Sequence, residues 1–180
     1  MLPKITDYLS KHQQGIRIDM GCGAQKQPDF FGIDLLPLPG VDLVWDLEKV
    51  PYPLPGECAS MILASHIIEH LNPHKGLFLK VMDEWWRLLK AGGTLAIATP
   101  YAGSPGYWQD PTHINPCNET TFYYFDPEPT NYEGDYLYQF YEPKPWKVKS
   151  NVWKSFGNLE IVMEKRSLEE GKKLLKKYKK

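Results

Sequence analysis

Three aspartates carry the clearest chemical signal in this sequence. Asp19, Asp34 and Asp46 each close a short run rich in apolar residues, and the first is followed at once by the turn Gly21-Cys22-Gly23. Carboxylates accept hydrogen bonds from hydroxyls and amines and attract positive charge. Glycines, having no Cβ, let the backbone bend sharply and approach a bound group closely. The turn continues Ala24-Gln25-Lys26 and never reaches the third glycine that a dinucleotide pyrophosphate site prefers. An acid before such a turn suits a ligand with hydroxyls and a cationic centre better than a bare phosphate. A ribose, an adenine amino group and a positive centre together match three acids around one crevice.

A second group of candidates lies further along the chain. Ser65-His66 ends a strand-like run, and His66-Ile67-Ile68-Glu69-His70 has the spacing of an inverted zinc-peptidase helix, in which two histidines one turn apart would share a face with Glu69 as base. That segment follows a buried strand directly and meets Asn72-Pro73 soon after, which leaves little helix to hold an ion, so no metal is expected. Residues 101 to 117 form an aromatic and proline-rich loop with Tyr101, Tyr107, Trp108, Asp110 and His113. A loop of this length in a compact domain is usually functional or disordered, and its aromatic content argues against disorder.

The elements that must position these residues follow from periodicity. Residues 4 to 14 read as a short amphipathic helix stopped by Gly15. Strands are expected at 16 to 19, 31 to 34, 41 to 46, 59 to 65 and 94 to 99, with 59 to 65 apolar enough to be covered on both faces. Only seven residues separate Gly23 from the second strand, too few for a crossover helix. A helix is expected over 77 to 90, ended by Ala91-Gly92-Gly93. Asn118 is a candidate cap for a helix reaching Phe125. Residues 146 to 156 and 159 to 165 flank Gly157-Asn158 as a hairpin. The fold expected is therefore an α/β, Rossmann-like, mostly parallel sheet with a C-terminal β-hairpin, in three α/β/α layers. Ligands of such sheets bind outside the carboxyl ends of the strands, where all the acids named above fall.

Length, 180 residues, allows one domain with a sizeable core. No apolar run is long enough to span a bilayer and no secretory signal pattern is seen, so a cytoplasmic location is expected. Three cysteines without CxxC spacing indicate neither a disulfide framework nor a zinc ribbon. The net charge of −1 conceals a basic end: residues 164 to 180 hold eight Lys/Arg against three Glu. The expected organisation is a catalytic domain over 1 to 163, with 101 to 145 as an insertion on the substrate side, and a basic tail over 164 to 180. Nucleic acid or an acidic partner could meet that tail; a solvated helix explains the same charges.

Ile18-Asp19-Met20-Gly21-Cys22-Gly23, Gly32-Ile33-Asp34, Trp45-Asp46-Leu47, Ala64-Ser65-His66-Ile67-Ile68-Glu69-His70-Leu71 and Trp86-Arg87-Leu88-Leu89-Lys90-Ala91-Gly92-Gly93-Thr94-Leu95 occur in this order. Taken together they resemble the successive motifs of the class I S-adenosylmethionine-dependent methyltransferases, in a compact form with a truncated first crossover. The resemblance implies S-adenosylmethionine as cofactor, with Gly21, Cys22 and Gly23 passing under its methionine portion and Asp19 organising the turn and reaching toward the amino group. Asp34, with Leu35 beside it, would meet the ribose hydroxyls. Asp46 would accept from the adenine amino group while Leu47 packs on the ring. Ser65 and His66 would line the pocket near the sulfonium, and Lys26 could meet the methionine carboxylate.

Methyl transfer from a sulfonium is an in-line displacement in which the protein mainly aligns the partners, with a base needed only if the acceptor must lose a proton. His113 is the candidate base and Asp110 could orient it; a packing role for His113 fits the sequence equally well. Tyr107, Trp108 and Tyr124 could wall an acceptor pocket. The Asn/Asp-Pro-Pro-Tyr run of amino methyltransferases acting on DNA is absent after the fourth strand, where Ser65-His66-Ile67-Ile68 stands. A small-molecule or sugar O- or N-acceptor is therefore favoured over nucleic acid. A non-catalytic relative that binds the cofactor, or an assembly protein with a partner-binding tail, is the alternative.

Overall fold

A computed structural model describes residues 3–128, 138–154 and 156–178. Seven strands form one sheet: β1 (Ile16–Met20), β2 (Phe31–Asp34), β3 (Leu43–Val44), β4 (Ala59–Ser65), β5 (Leu89–Pro100), β6 (Trp146–Trp153) and β7 (Asn158–Lys165). Their order is β3-β2-β1-β4-β5-β7-β6. All neighbours run parallel except β7, which is antiparallel to both β5 and β6. The sheet is Rossmann-like and mostly parallel, closed at one edge by the C-terminal hairpin. Helices flank it: α1 (Pro3–Lys11), α2 (Leu77–Leu88), α3 (Pro105–Trp108), α4 (Tyr138–Tyr141) and α5 (Leu168–Tyr178). No described helix is long and apolar enough to cross a membrane.

Register explains the core. Ile18 pairs with Ile62, Ile62 with Leu95 and Leu95 with Met163, so that four fully buried side chains form one row across the sheet. Burying each such side chain contributes roughly 1.5–3 kcal/mol. The opposite face is less covered. Along β7 buried and half-buried residues alternate, and in β4 Met61 and Leu63 are half-buried, so β4 is not enclosed on both faces as its apolar run suggests. No helix joins β1 to β2 or β2 to β3, which is why that face lacks a continuous helical layer.

The element bounds differ from the sequence reading in three instructive places. Helix α2 stops at Leu88 because Leu89 is already extended and pairs with Ala59; the Lys90–Gly93 segment then bulges out, with Gly92 at φ +70, before pairing resumes at Thr94 opposite Met61. Strand β3 contracts to two residues at the sheet edge. Instead of an α-helix, residues 121–125 form a 3-10 turn, at whose start the Asn118 side chain accepts the N–H groups of Thr120 and Thr121.

The tail boundary at 164 does not survive. Glu164 and Lys165 end β7, and the side chains of Lys165 and Arg166 are only 4% exposed. Lys165 Nζ donates to the Leu89 carbonyl at 2.6 Å and lies 4.0 Å from the centre of the Trp86 ring. Arg166 pairs with Asp126, Glu128 and Glu170, tying β7 to the 126–128 segment and to α5. Part of the 101–145 insertion, residues 129–137, lies outside the described residues.

Candidate functional site

Residues at the carboxyl tips of β1, β2 and β3 build the first half of the site. At the end of β1 the chain turns through Gly21 at φ +66 and Gly23 at φ +55, a left-handed conformation that glycine adopts freely. The Gly21 and Cys22 N–H groups both donate to the Ile33 carbonyl, at 2.8 and 3.2 Å. Gly23 N–H donates to Asp34 Oδ2 at 2.8 Å and Leu36 N–H to Asp34 Oδ1 at 3.0 Å. Asp34 thus clamps the glycine turn onto the tip of β2, and each of its oxygens keeps a lone pair for a further donor. Asp19, 5% exposed, accepts the Gln27 N–H at 2.9 Å and so holds the return loop. Burial raises its pKa, opposed by that N–H.

Gly32 shows why the turn is so tight. A Cβ there would lie 2.6 Å from Lys26 Cδ and 2.7 Å from Cys22 Sγ, so the loop that replaces the crossover helix rests directly on β2. Gly23, in contrast, has nothing within 4 Å of where its Cβ would be, which leaves an open approach over the turn. Lys26 does not point toward that opening: its Nζ binds Asp42 Oδ2 at 2.6 Å, and the same oxygen takes the Gly32 N–H. Asp42 was not singled out in the sequence, although it precedes the β3 residues by one position.

Asp46 follows β3 and accepts the Glu48 N–H at 3.0 Å, while the neighbouring Trp45 N–H donates to the Asp34 carbonyl. The third acid is thereby linked to the second. Leu47, expected on a ligand ring, is instead in the core at 6% exposed, with its carbonyl taking the Tyr52 hydroxyl. Leu35 is 64% exposed beside Asp34.

The second half of the site is a cavity of about 400 Å³ past the tips of β4 and β5, lined by His66, Glu69, His70, Asp110, His113 and Asn158 among others. Ser65 is exposed at the end of β4, and His66 takes φ +53, an uncommon conformation for a non-glycine residue, held by its N–H on the Ala98 carbonyl. The His66-to-His70 run is not a peptidase-type helix; only Ile68–His70 forms a single 3-10 turn. Glu69 is 1% exposed, with Oε2 accepting the Thr99 hydroxyl at 2.9 Å. Its Oε1 lies 3.3 Å from His66 Nδ1 without the alignment of a hydrogen bond, and has no hydrogen-bond partner among the described residues. The Glu69 carboxylate raises the His66 pKa against the opposing effect of burial.

The aromatic loop is stitched to this turn by the Ile114 and Asn115 N–H groups on the Glu69 carbonyl and by the Asn115 side chain on the Ile68 carbonyl. His113 Nδ1 is 2.7 Å from the Tyr107 carbonyl, which fixes the proton on Nδ1 and leaves the Nε2 lone pair free in the neutral ring. Asp110 does not orient His113 from behind. Its Oδ2 is 3.7 Å from Nε2, and its Oδ1 takes the Thr112 N–H and hydroxyl, which hold its pKa below the usual carboxylate range. Tyr107 is buried and contributes its carbonyl, not its ring, to the site. Trp108 is 73% exposed, donates its indole N–H to the Ala102 carbonyl, and is not among the residues lining the cavity. Tyr124 packs against Phe125 and Tyr141, away from the cavity.

The fold is matched in solved structures of other proteins. A SAM-dependent methyltransferase from Archaeoglobus fulgidus superposes over 90% of this chain and 91% of its own, at 14% identity and TM-score 0.57. The N-methyltransferase NodS from Bradyrhizobium japonicum WM9, in complex with S-adenosyl-L-homocysteine, matches over 92% of this chain and 89% of its own at 12% identity and TM-score 0.57. The fold is that of the class I methyltransferases. The [4+2]-cyclase SpnF has the same fold, matching over 91% of this chain and 81% of its own at 14% identity and TM-score 0.54. No protein-family model matches the chain. No curated protein matches it either.

Proposed function

We propose that this chain is an S-adenosylmethionine-dependent methyltransferase acting on a small-molecule or sugar O- or N-acceptor. The observation that carries this reading is the clamp of Asp34 on the Gly21–Gly23 turn, with Asp19 and Asp46 on the flanking strand tips and the polar cavity beside them. Asp34 has the lone pairs to receive two ribose hydroxyls, and Asp46 stands one strand further on for the adenine amino group. The open approach over Gly23 suits the methionine portion. S-adenosylmethionine, when bound, supplies a methyl group already activated by its sulfonium. Lys26 meets a methionine carboxylate only by leaving Asp42.

The protein's own contribution is alignment and proton removal. In methyl transfer the acceptor atom forms its bond to the methyl carbon as the carbon–sulfur bond breaks, and the electron pair of that bond stays on sulfur. The acceptor, seated in the cavity of His66, Glu69, His70 and His113, gives up its proton toward this cluster, where the His113 Nε2 lone pair is free. SpnF, named as a cyclase, supports keeping a second reading in which the cofactor site serves another purpose than methyl transfer.

Mass spectrometry of the purified protein and calorimetry with S-adenosylhomocysteine test the first half. Binding at one per chain, lost in Asp34→Ala, is expected; no binding at millimolar ligand would overturn the reading. Transfer of labelled methyl to a panel of hydroxylated and amino acceptors tests the second half, and binding with no transfer to any of them favours the non-catalytic alternative.

A further inference from the structure

Within the cavity, one donor atom from each of Glu69, His70 and His113 lies within 4.8 Å of the other two. We propose that these three residues bind a divalent first-row metal ion, such as zinc, and that the acceptor reaches the site through an oxygen that this ion coordinates. Two imidazoles and a carboxylate are a donor set that such ions favour. Zinc–nitrogen and zinc–oxygen bonds of about 2.0–2.2 Å in a tetrahedron set donors about 3.4 Å apart, so closing the trio requires shifts of about an ångström.

Each member is already held from behind. His113 gives its Nδ1 proton to the Tyr107 carbonyl, and His70 Nδ1 lies 3.3 Å from the Thr112 carbonyl, so both rings present Nε2. Glu69 Oε2 is held by Thr99, leaving Oε1. Metal-ligating histidines and carboxylates ordinarily carry such outer partners, which fix tautomer and orientation.

The second observation is Glu69 itself. A carboxylate 1% exposed with one oxygen lacking any hydrogen-bond partner among the described residues is costly, unless something positive is meant to sit there. His66 Nδ1, 3.3 Å away and drawn toward its charged form by Glu69, competes for that position, but its ring is half-exposed and too misaligned to hydrogen-bond the oxygen. The trio is also not the pair that spacing suggests: His66 is set apart from His70 by its left-handed turn, and His113 takes its place.

The consequence for chemistry rests on the methyl-transfer reading, whereas metal binding does not. An acceptor hydroxyl on the ion releases its proton to water at lower pH, and the resulting alkoxide attacks the methyl carbon while sulfur keeps the electron pair of the broken bond. In this arrangement the His113 lone pair acts on the acceptor through the ion and not by direct proton capture. The substrate class becomes an O-acceptor, with a second oxygen free to chelate.

The test is calorimetry of the full chain, stripped with chelator, against zinc chloride alone, with S-adenosylhomocysteine binding measured on every variant. One zinc per chain is expected, weakened at least tenfold in each of Glu69→Gln, His70→Ala and His113→Ala, and unchanged in His12→Ala and His74→Ala. Cofactor binding and melting temperature retained in the three variants would establish that they fold. If zinc binding is absent, or is lost in His66→Ala but kept in His113→Ala, the proposal is overturned while cofactor binding leaves the methyltransferase reading standing. Zinc without cofactor binding would uphold the site and sink the enzyme assignment. Thr99→Val, which frees Glu69 Oε2, should weaken zinc about tenfold.

Discussion

Replacing Gly32 by alanine is the sharpest test of how the glycine turn is held. The new Cβ would sit 2.6 Å from Lys26 Cδ and 2.7 Å from Cys22 Sγ, both well inside contact distance. The lysine stem can swing aside, but only by giving up a 2.6 Å ion pair with Asp42 whose partners are 22% and 26% exposed, at a cost of up to about 1 kcal/mol. Cys22 has less room, because its backbone N–H is tied to the Ile33 carbonyl, and overpacking of this kind costs about 1–3 kcal/mol. The sum, about 1–4 kcal/mol, corresponds to a melting temperature lower by about 2–16 °C for a domain of this size. Scanning calorimetry measures it, and calorimetry with S-adenosylhomocysteine should show affinity lost at least tenfold, because the displaced turn carries Gly23 away from Asp34. Adding Cys22→Ala removes one of the two clashes and should restore about half of the melting temperature. A Gly32→Ala protein that melts with the wild type and binds as tightly would refute this account of the turn.

Other outcomes follow from groups buried elsewhere. Arg166→Met leaves Asp126, 4% exposed, without its buried cation and should destabilise the fold by about 3–5 kcal/mol in urea unfolding. Trp85→Ala, emptying a fully buried position and leaving the Tyr52 hydroxyl without its indole donor, should cost about 3–5 kcal/mol in the same assay. Burial pushes the thiols of Cys22 and Cys58 up to about 11 and that of Cys117 up to about 12. A thiol reagent at pH 8 should therefore react slowly with the folded chain and with all three cysteines in denaturant. The unfolded thiols ionise near pH 8.5 while the folded ones hold their protons, so the thiols should make stability fall as pH rises from about 9 toward 11.

The sheet was legible because its strands are short apolar runs, with an alternation in β7 that matches its burial, and because each of the first two has an acid at its tip before a turn. Asp19 and Asp34 are at strand tips for the same reason they were visible, since a carboxylate at such a tip accepts the N–H groups of the turn beyond it. Leu47 was misread because an apolar residue after an acid looks the same whether it faces a ligand or the core; only its burial among the core side chains separates the two. Tyr124 failed likewise, since nothing local distinguishes an aromatic facing Tyr141 from one facing a cavity. The meeting of Glu69 and His70 with His113 could not be read from spacing, as it depends on Ile114 and Asn115 binding the Glu69 carbonyl across more than forty residues of sequence. The left-handed His66 also escaped notice, because a non-glycine residue in that conformation is stabilised by surroundings, not by its own type.

A crossing from β1 to β2 without a helix has an electrostatic consequence. A helix beginning there would have aimed about half a positive charge at any anion resting on the turn. This chain offers no such dipole, its three turn amides already face Ile33 and Asp34, and Lys26 is neutralised by Asp42. Under the proposed function, a cofactor above Gly23 would therefore be held through its hydroxyls and its ammonium, by acids, and raising the ionic strength should weaken it chiefly at that cationic end.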